Sequence, residues 1–234
     1  MVSLIKLAIV ALNTIIVAPT VVAVATIDQR ASYRVCQLWV WINLLACGVR
    51  VHVQRLGTLD PRRAYVFMSN HMSQYDILAV VAALEEFQLR WVAKKELTHI
   101  PIFGWALKHS GHIIIDRSNH EQAIASLRAA RKQMEEGISV MIFPEGTRGA
   151  AGQPLLPFKK GGFMLALETG FPIVPLPRGS LSPRPGDIEV VVGPPIPVAG
   201  LDRDEIMRRV RDFLSSYVDD AHPRTRDELA PQPI

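Results

Sequence analysis

From residue 51 onward, short runs rich in β-branched and aromatic residues alternate with stretches of helical periodicity, and this alternation restricts the possible folds most strongly. Residues 64–69, 89–93, 112–116, 139–143, 173–176 and 188–192 read as strands. Residues 77–86, 119–136, 162–169 and 202–218 read as helices. In 119–136, Ile124, Leu127, Arg131 and Met134 follow helical spacing, with Gly137 at the position where a left-handed residue ends a helix. Asp202 with Glu205 three places on has the pattern of a capping box. The chain is predicted to be α/β, with a mixed, largely parallel sheet flanked by helices. Its active residues belong in loops at the carboxyl ends of strands.

The first fifty residues differ in kind. Residues 8–27 contain no charged side chain, and about twenty apolar residues cross the hydrocarbon core of a bilayer. Asn13 and Pro19 argue against a plain lipid-exposed helix. A second apolar block, 35–49, holds Trp39, Trp41 and Asn43 between Arg34 and Arg50. It is short for a span and suits a helix at headgroup depth. A cleaved signal peptide and a pair of buried helices in a soluble fold are the competing readings. The expected organisation is a two-helix membrane anchor over 1–50, an α/β domain over 51–219 and a polar, poorly ordered tail over 220–234. Arg30, Arg34 and Arg50 favour the cytoplasmic face of the inner membrane.

Composition adds limits. Hydrophobic residues make up 49% and the mean hydropathy is +0.18, low for a polytopic membrane protein. A net charge of +4 and a pI of about 9.3 fit an anionic surface or phosphate-bearing substrates. Cys36 and Cys47 read as small buried thiols, and no Cys/His spacing suggests a metal.

The candidate chemistry begins after the first strand, at Asn70, His71 and Asp76. His71 and Asp76 stand five apart, which on one continuous helix turns them ~140° away from each other. Their cooperation therefore requires a bent, non-helical path. Asp76 then accepts the Nδ1 proton and leaves Nε2 as a general base. An ordinary helix start, with Ser69 or Asn70 as cap and Asp76 as a first-turn acid, is the simpler alternative.

Further candidates fall at later strand ends. Lys94 and Lys95 follow the second strand, and the third runs out into Asp116 and Arg117. The fourth strand ends at Phe143 and runs into Pro144, Glu145, Gly146, Thr147 and Arg148, and Lys159, Lys160, Gly161 and Gly162 lead into a short helix. Arg117 and Arg148 offer planar forks to phosphate, and the lysines offer point charges. Gly146 permits close backbone approach. Glu145 either bonds backbone donors of its own loop, the favoured role, or contacts substrate hydroxyls.

Together these residues resemble the 1-acylglycerol-3-phosphate acyltransferases of the glycerolipid acyltransferase superfamily. Asn70, His71 and Asp76 match the NHx4D motif in full. The segment from Gly111 to Arg117 is similar to the second block, Phe143 to Arg148 is identical to the third, and Gly170 to Pro175 resembles the fourth. One departure is Gly149, where the family usually has serine.

The resemblance implies a glycerol-3-phosphate acyltransferase-like fold and transfer of an acyl group from a thioester to the sn-2 hydroxyl of 1-acylglycerol-3-phosphate, giving phosphatidic acid. It implies His71 and Asp76 as catalytic residues. Asn70, Lys94, Lys95, Arg117, Glu145, Gly146, Thr147 and Arg148 would bind substrate. Acyl-CoA or acyl-carrier protein would be the donor, with no cofactor or metal, and the partners would be the membrane surface and its lipid acceptor. Another lysolipid, such as a lyso-ornithine lipid or a lysophospholipid, is the alternative acceptor. A non-catalytic, membrane-anchored phospholipid-binding module is the rival from another class. Nucleic acid is disfavoured, because the basic residues sit among apolar strand ends without stacking aromatics.

Overall fold

A computed structural model describes residues 4–73, 75–100, 103–115, 120–149, 154–179 and 186–218. The chain begins with two long helices, α1 (Leu4–Ala25) and α2 (Gln29–Cys47). Asp28 caps α2, its carboxylate accepting the N–H groups of Arg30 and Ala31, and Gly48 ends the helix at φ 68°. Glycine adopts that left-handed conformation without steric cost.

Strand β1 (Arg50–Arg55) follows, then β2 (Val66–Ser69), α3 (Tyr75–Ala83) and β3 (Leu89–Lys94). A short 3₁₀ helix (Lys95–His99) leads towards α4 (Phe103–His109), β4 (Ile113–Ile115) and α5 (His120–Glu135). The remainder is β5 (Ser139–Ile142), α6 (Gly161–Thr169), β6 (Ile173–Leu176), β7 (Arg178–Gly179), β8 (Asp187–Val192) and α7 (Arg203–Val218).

Five strands form a parallel sheet in the order β4-β3-β5-β2-β6. A second sheet, β1-β8-β7, pairs β1 with β8 in parallel and β7 with β8 antiparallel. The predicted mixed, largely parallel α/β architecture is therefore present. Strands β2, β5 and β6 are buried along their whole length, as a parallel sheet covered on both faces requires.

Alternate residues serve opposite layers. Val66, Met68, Val140, Ile142 and Ile173 pack with residues of α5, α6 and α7, including Met134, Phe163, Val210 and Leu214. Phe67, Met141, Val174 and Leu176 pack with Tyr33 of α2 and Val80 of α3. Each fully buried side chain of this size contributes about 1.5–3 kcal/mol by removal of apolar area from water.

Two helices occupy the N-terminal region expected as an anchor. By length and composition, α1 is the one helix among the described residues able to cross a membrane. Helix α2 shares its buried face, Tyr33, Val40 and Leu44, with the body of the fold. The two helices are joined by polar contacts, with Asn13 donating to Asn43 Oδ1 at 3.0 Å and to the Trp39 carbonyl at 3.1 Å. Cys36 and Cys47 are free thiols, only partly buried. The predicted tail, 220–234, lies outside the described residues.

Candidate active site

The carboxyl end of β2 carries the first part of the site. The chain leaves the sheet at Ser69, passes through Asn70 and His71 without regular secondary structure, and enters α3 at Tyr75. Ser69 and Asn70, both buried, do not cap that helix, because they still belong to the strand and its exit. Ser73 does. Its hydroxyl accepts the N–H of Tyr75 at 3.1 Å, while Asp76 reaches back to the N–H of Ser73 at 2.8 Å. This reciprocal pair is a capping box with Asp as the returning acid.

The same carboxylate serves His71. Asp76 Oδ2 lies 2.8 Å from His71 Nδ1, and it also accepts the N–H of Met72 at 2.6 Å. Asp76 Oδ1 accepts the Ser73 hydroxyl at 3.1 Å. The Asp76 side chain is 0% exposed and that of His71 17%. The bent path required by the spacing is present, with His71 in the loop and Asp76 in the first turn of α3. One carboxylate thus both serves the helix start and contacts the imidazole.

Because β5 is the neighbour of β2, the loop after β5 lies beside His71. Phe143 places its ring parallel to the imidazole, with centroids 4.0 Å apart and planes within 10°. Gly146, at φ 70°, closes a tight turn in which its N–H donates to the Phe143 carbonyl at 3.0 Å. Glu145, only 3% exposed, accepts the N–H of His71 at 2.8 Å and of Leu156 at 3.0 Å. The N–H of Gly149 donates to the His71 carbonyl at 2.8 Å. Both backbone polar groups of His71 are thus held by the β5 loop. A Cβ on Gly149 would meet only ordinary contacts, so the serine usual there is not sterically barred.

Other candidate residues are distributed as follows. Thr147 and Arg148 are exposed on the same loop. Lys94 ends β3 and Lys95 opens the 3₁₀ helix, both exposed and one strand further from β2 because β5 intervenes. Arg117 lies outside the described residues. The N–H of Lys159 donates to the Pro144 carbonyl at 2.7 Å, which ties the start of α6 to the loop. Gly162 lets α6 approach closely, since a Cβ there would meet Ile142 at 3.1 Å and Met68 at 3.3 Å. Among the described residues no cluster of His, Cys, Asp and Glu could hold a metal.

The roles of Phe143, Ser73 and Gly149 were not anticipated from the sequence. Only the Ser73–Asp76 spacing carried a local signal, the capping-box pattern. The site offers an oriented imidazole on a hydrogen-bonded backbone, beside the loop that carries Glu145 and Arg148, an arrangement suited to removing a proton from an alcohol.

The Acyltransferase family matches residues 50–177, more than half of the chain. The 1-acyl-sn-glycerol-3-phosphate acyltransferase of Pseudomonas aeruginosa is 31% identical over 221 residues, a match covering 87% of this chain and 84% of that one. The human 1-acyl-sn-glycerol-3-phosphate acyltransferase alpha is 34% identical over 169 residues, covering 68% of this chain and 59% of that one. The crystal structure of the 1-acyl-sn-glycerophosphate acyltransferase of Thermotoga maritima shares the fold with a TM-score of 0.69 at 21% identity. That likeness covers 92% of this chain and 97% of that one. With the alignment spanning the strands and loops that build the site, the chain belongs to the acyltransferase family of the 1-acyl-sn-glycerol-3-phosphate acyltransferases.

Proposed function

We propose that the protein transfers an acyl group from a thioester, on coenzyme A or acyl-carrier protein, to the sn-2 hydroxyl of 1-acylglycerol-3-phosphate. The product is phosphatidic acid. The observation that carries this reading is the 2.8 Å contact between His71 Nδ1 and Asp76, with Asp76 itself fixed by backbone donors. With Nδ1 engaged, Nε2 takes the proton of the acceptor hydroxyl as its oxygen attacks the thioester carbonyl. The C–S bond breaks, the ester forms, and the imidazolium returns the proton to the departing thiolate. Asp76 stabilises the imidazolium in between. No enzyme nucleophile takes part.

Arg148, with Lys94, Lys95 and Arg117 as further candidates, binds the acceptor phosphate, and Asn70, Gly146 and Thr147 shape its loop. The relatives' printed names support phosphorylated monoacylglycerol as acceptor. A membrane location follows from the acceptor being an amphiphile and from the apolar, largely exposed surface of α1, including Leu4, Ile5, Leu12 and Ile16. Arg30 and Arg34 beside it favour the cytoplasmic leaflet.

The test is acyl transfer to 1-acylglycerol-3-phosphate and to a panel of other lysolipids, wild type against His71→Ala. A fall of ~10²–10⁴-fold in turnover with an unchanged thermal midpoint is expected. Near-normal turnover in His71→Ala would sink the mechanism, and a strong preference for another lysolipid would replace the acceptor.

A further inference from the structure

The hydrogen bond to Asp76 fixes one atom of the His71 ring but not its plane. The terminal torsion of histidine is broad, so the ring can pivot about its Nδ1 contact and swing Nε2 through a wide arc. A base must hold its nitrogen within about 10–20° of the productive direction. Something else has to set the plane, and Phe143 is the group in place to do so. Its ring lies 4.0 Å from the imidazole at an interplanar angle of 10°. Phe143 is itself backed by Trp91 of β3, at 5.7 Å and 31°. The three rings follow the order of their strands, β2, β5 and β3.

The geometry has a second consequence. Offset parallel stacking is among the arrangements that two neutral aromatic rings prefer, so the contact holds the ring before any charge develops. A positive charge over the face of a benzene ring is attracted to it in addition. Charge that develops on the imidazole during proton transfer would therefore meet the face of Phe143. Imidazolium is the form that appears only as the acceptor proton is removed, and an interaction stronger in the transition state raises turnover without tightening substrate binding.

We propose that Phe143 is a positioning residue for the reaction, setting the plane of the His71 imidazole and stabilising its charged form by face-to-face stacking. The inference rests on the reading of His71 as the base. Phe143 touches neither the acceptor nor the thioester in this role.

The test compares wild type with Phe143→Leu, which keeps apolar bulk and removes the π face, and Phe143→Tyr, which restores it. Phe143→Leu should lower kcat roughly three- to thirtyfold, with KM for the lysolipid and for the thioester within about twofold of wild type. Phe143→Tyr should recover most of that loss. In NMR spectra of the protein in detergent micelles, the His71 ring C–H resonances should move downfield in Phe143→Leu as the ring current is lost. Should the leucine variant not fold, Phe143→Met carries the same expectation.

A wild-type kcat in the folded variant without the π face would overturn the proposal. So would a loss confined to KM, or equal impairment of the leucine and tyrosine variants, which is the pattern of a merely structural side chain. His71→Ala assayed alongside separates the two levels. If it remains active, the base reading fails. If it is inactive while Phe143→Leu behaves as wild type, only the positioning role of Phe143 fails.

Discussion

Glu145 Oε1 accepts the backbone N–H of His71 at 2.8 Å, so a carboxylate on the β5 loop fixes the main chain of His71 on the β2 loop. Its other oxygen accepts the N–H of Leu156. Glu145→Gln keeps one acceptor and turns an amide donor towards the other N–H, which should cost about 1–3 kcal/mol of stability. Turnover should fall as the His71 loop loosens, with the acceptor KM little changed. Thermal unfolding together with steady-state kinetics checks this. A rise in acceptor KM at normal stability would assign Glu145 to the substrate instead.

Asp76 combines a helix cap with the orientation of His71, and two substitutions separate these duties. Asp76→Asn keeps a polar side chain at the helix start but loses the charge that faces the His71 ring. It should lower kcat about 10²-fold or more with a modest change in midpoint. Asp76→Ala should lose comparable activity and a further ~1 kcal/mol of stability from the missing cap. Equal stability of the two variants would remove the capping role.

How much of this was legible beforehand depended on locality. Strands β5, β6 and β8 and helices α5, α6 and α7 lie within one or two residues of their expected positions, because buried apolar runs and caps such as Asp202 are local signals. Strand β1 was missed. Arg50, His52 and Gln54 give it no apolar run, none of its residues is fully buried, and its pairing with β8 is remote in sequence. Helix α4 was missed as well, being seven residues long with Gly104 near its start. The His71–Asp76 pair was readable from its spacing. The Glu145 bond to His71 and the Phe143 stack depend on β2 and β5 being neighbours, which the order of elements along the chain does not state.

His112 gives a pH signature apart from the proposed chemistry. Its Nδ1 accepts the N–H of Trp91 at 3.1 Å, and burial, with the charge of Arg90 second, pushes its pKa down to about 3. The unfolded chain binds a proton near pH 6.5 that the folded chain refuses. Stability from this group is thus complete above pH 6.5 and is lost as pH falls towards 3. Part of the residue reaches solvent, so the loss is smaller than full burial implies. His112→Asn keeps an acceptor without titrating, and its denaturation midpoint should fall less between pH 6.5 and 4 than that of wild type. Parallel midpoints would refute the assignment.

Arg148 is exposed beside the His71 loop. If it binds the acceptor phosphate, Arg148→Ala should raise the KM for 1-acylglycerol-3-phosphate roughly tenfold or more and leave the thioester KM unchanged. Arg148→Lys should recover part of the effect, since an ammonium replaces the charge but not the planar fork. An unaltered acceptor KM in Arg148→Ala would exclude that role.

The register of β1 against β8 pairs Arg50 with Asp187 and Arg55 with Val192. An early strand therefore waits for one of the last strands before its hydrogen bonds are met. During synthesis, α1, α2 and β1 emerge long before Asp187 is made, so the small sheet closes only when most of the chain is available. Such remote pairing slows folding and leaves a strand edge open in the interim. A nascent or truncated chain ending before Asp187 should accordingly expose the β1 edge together with the apolar surface of α1, and self-association is the expected fate of such fragments.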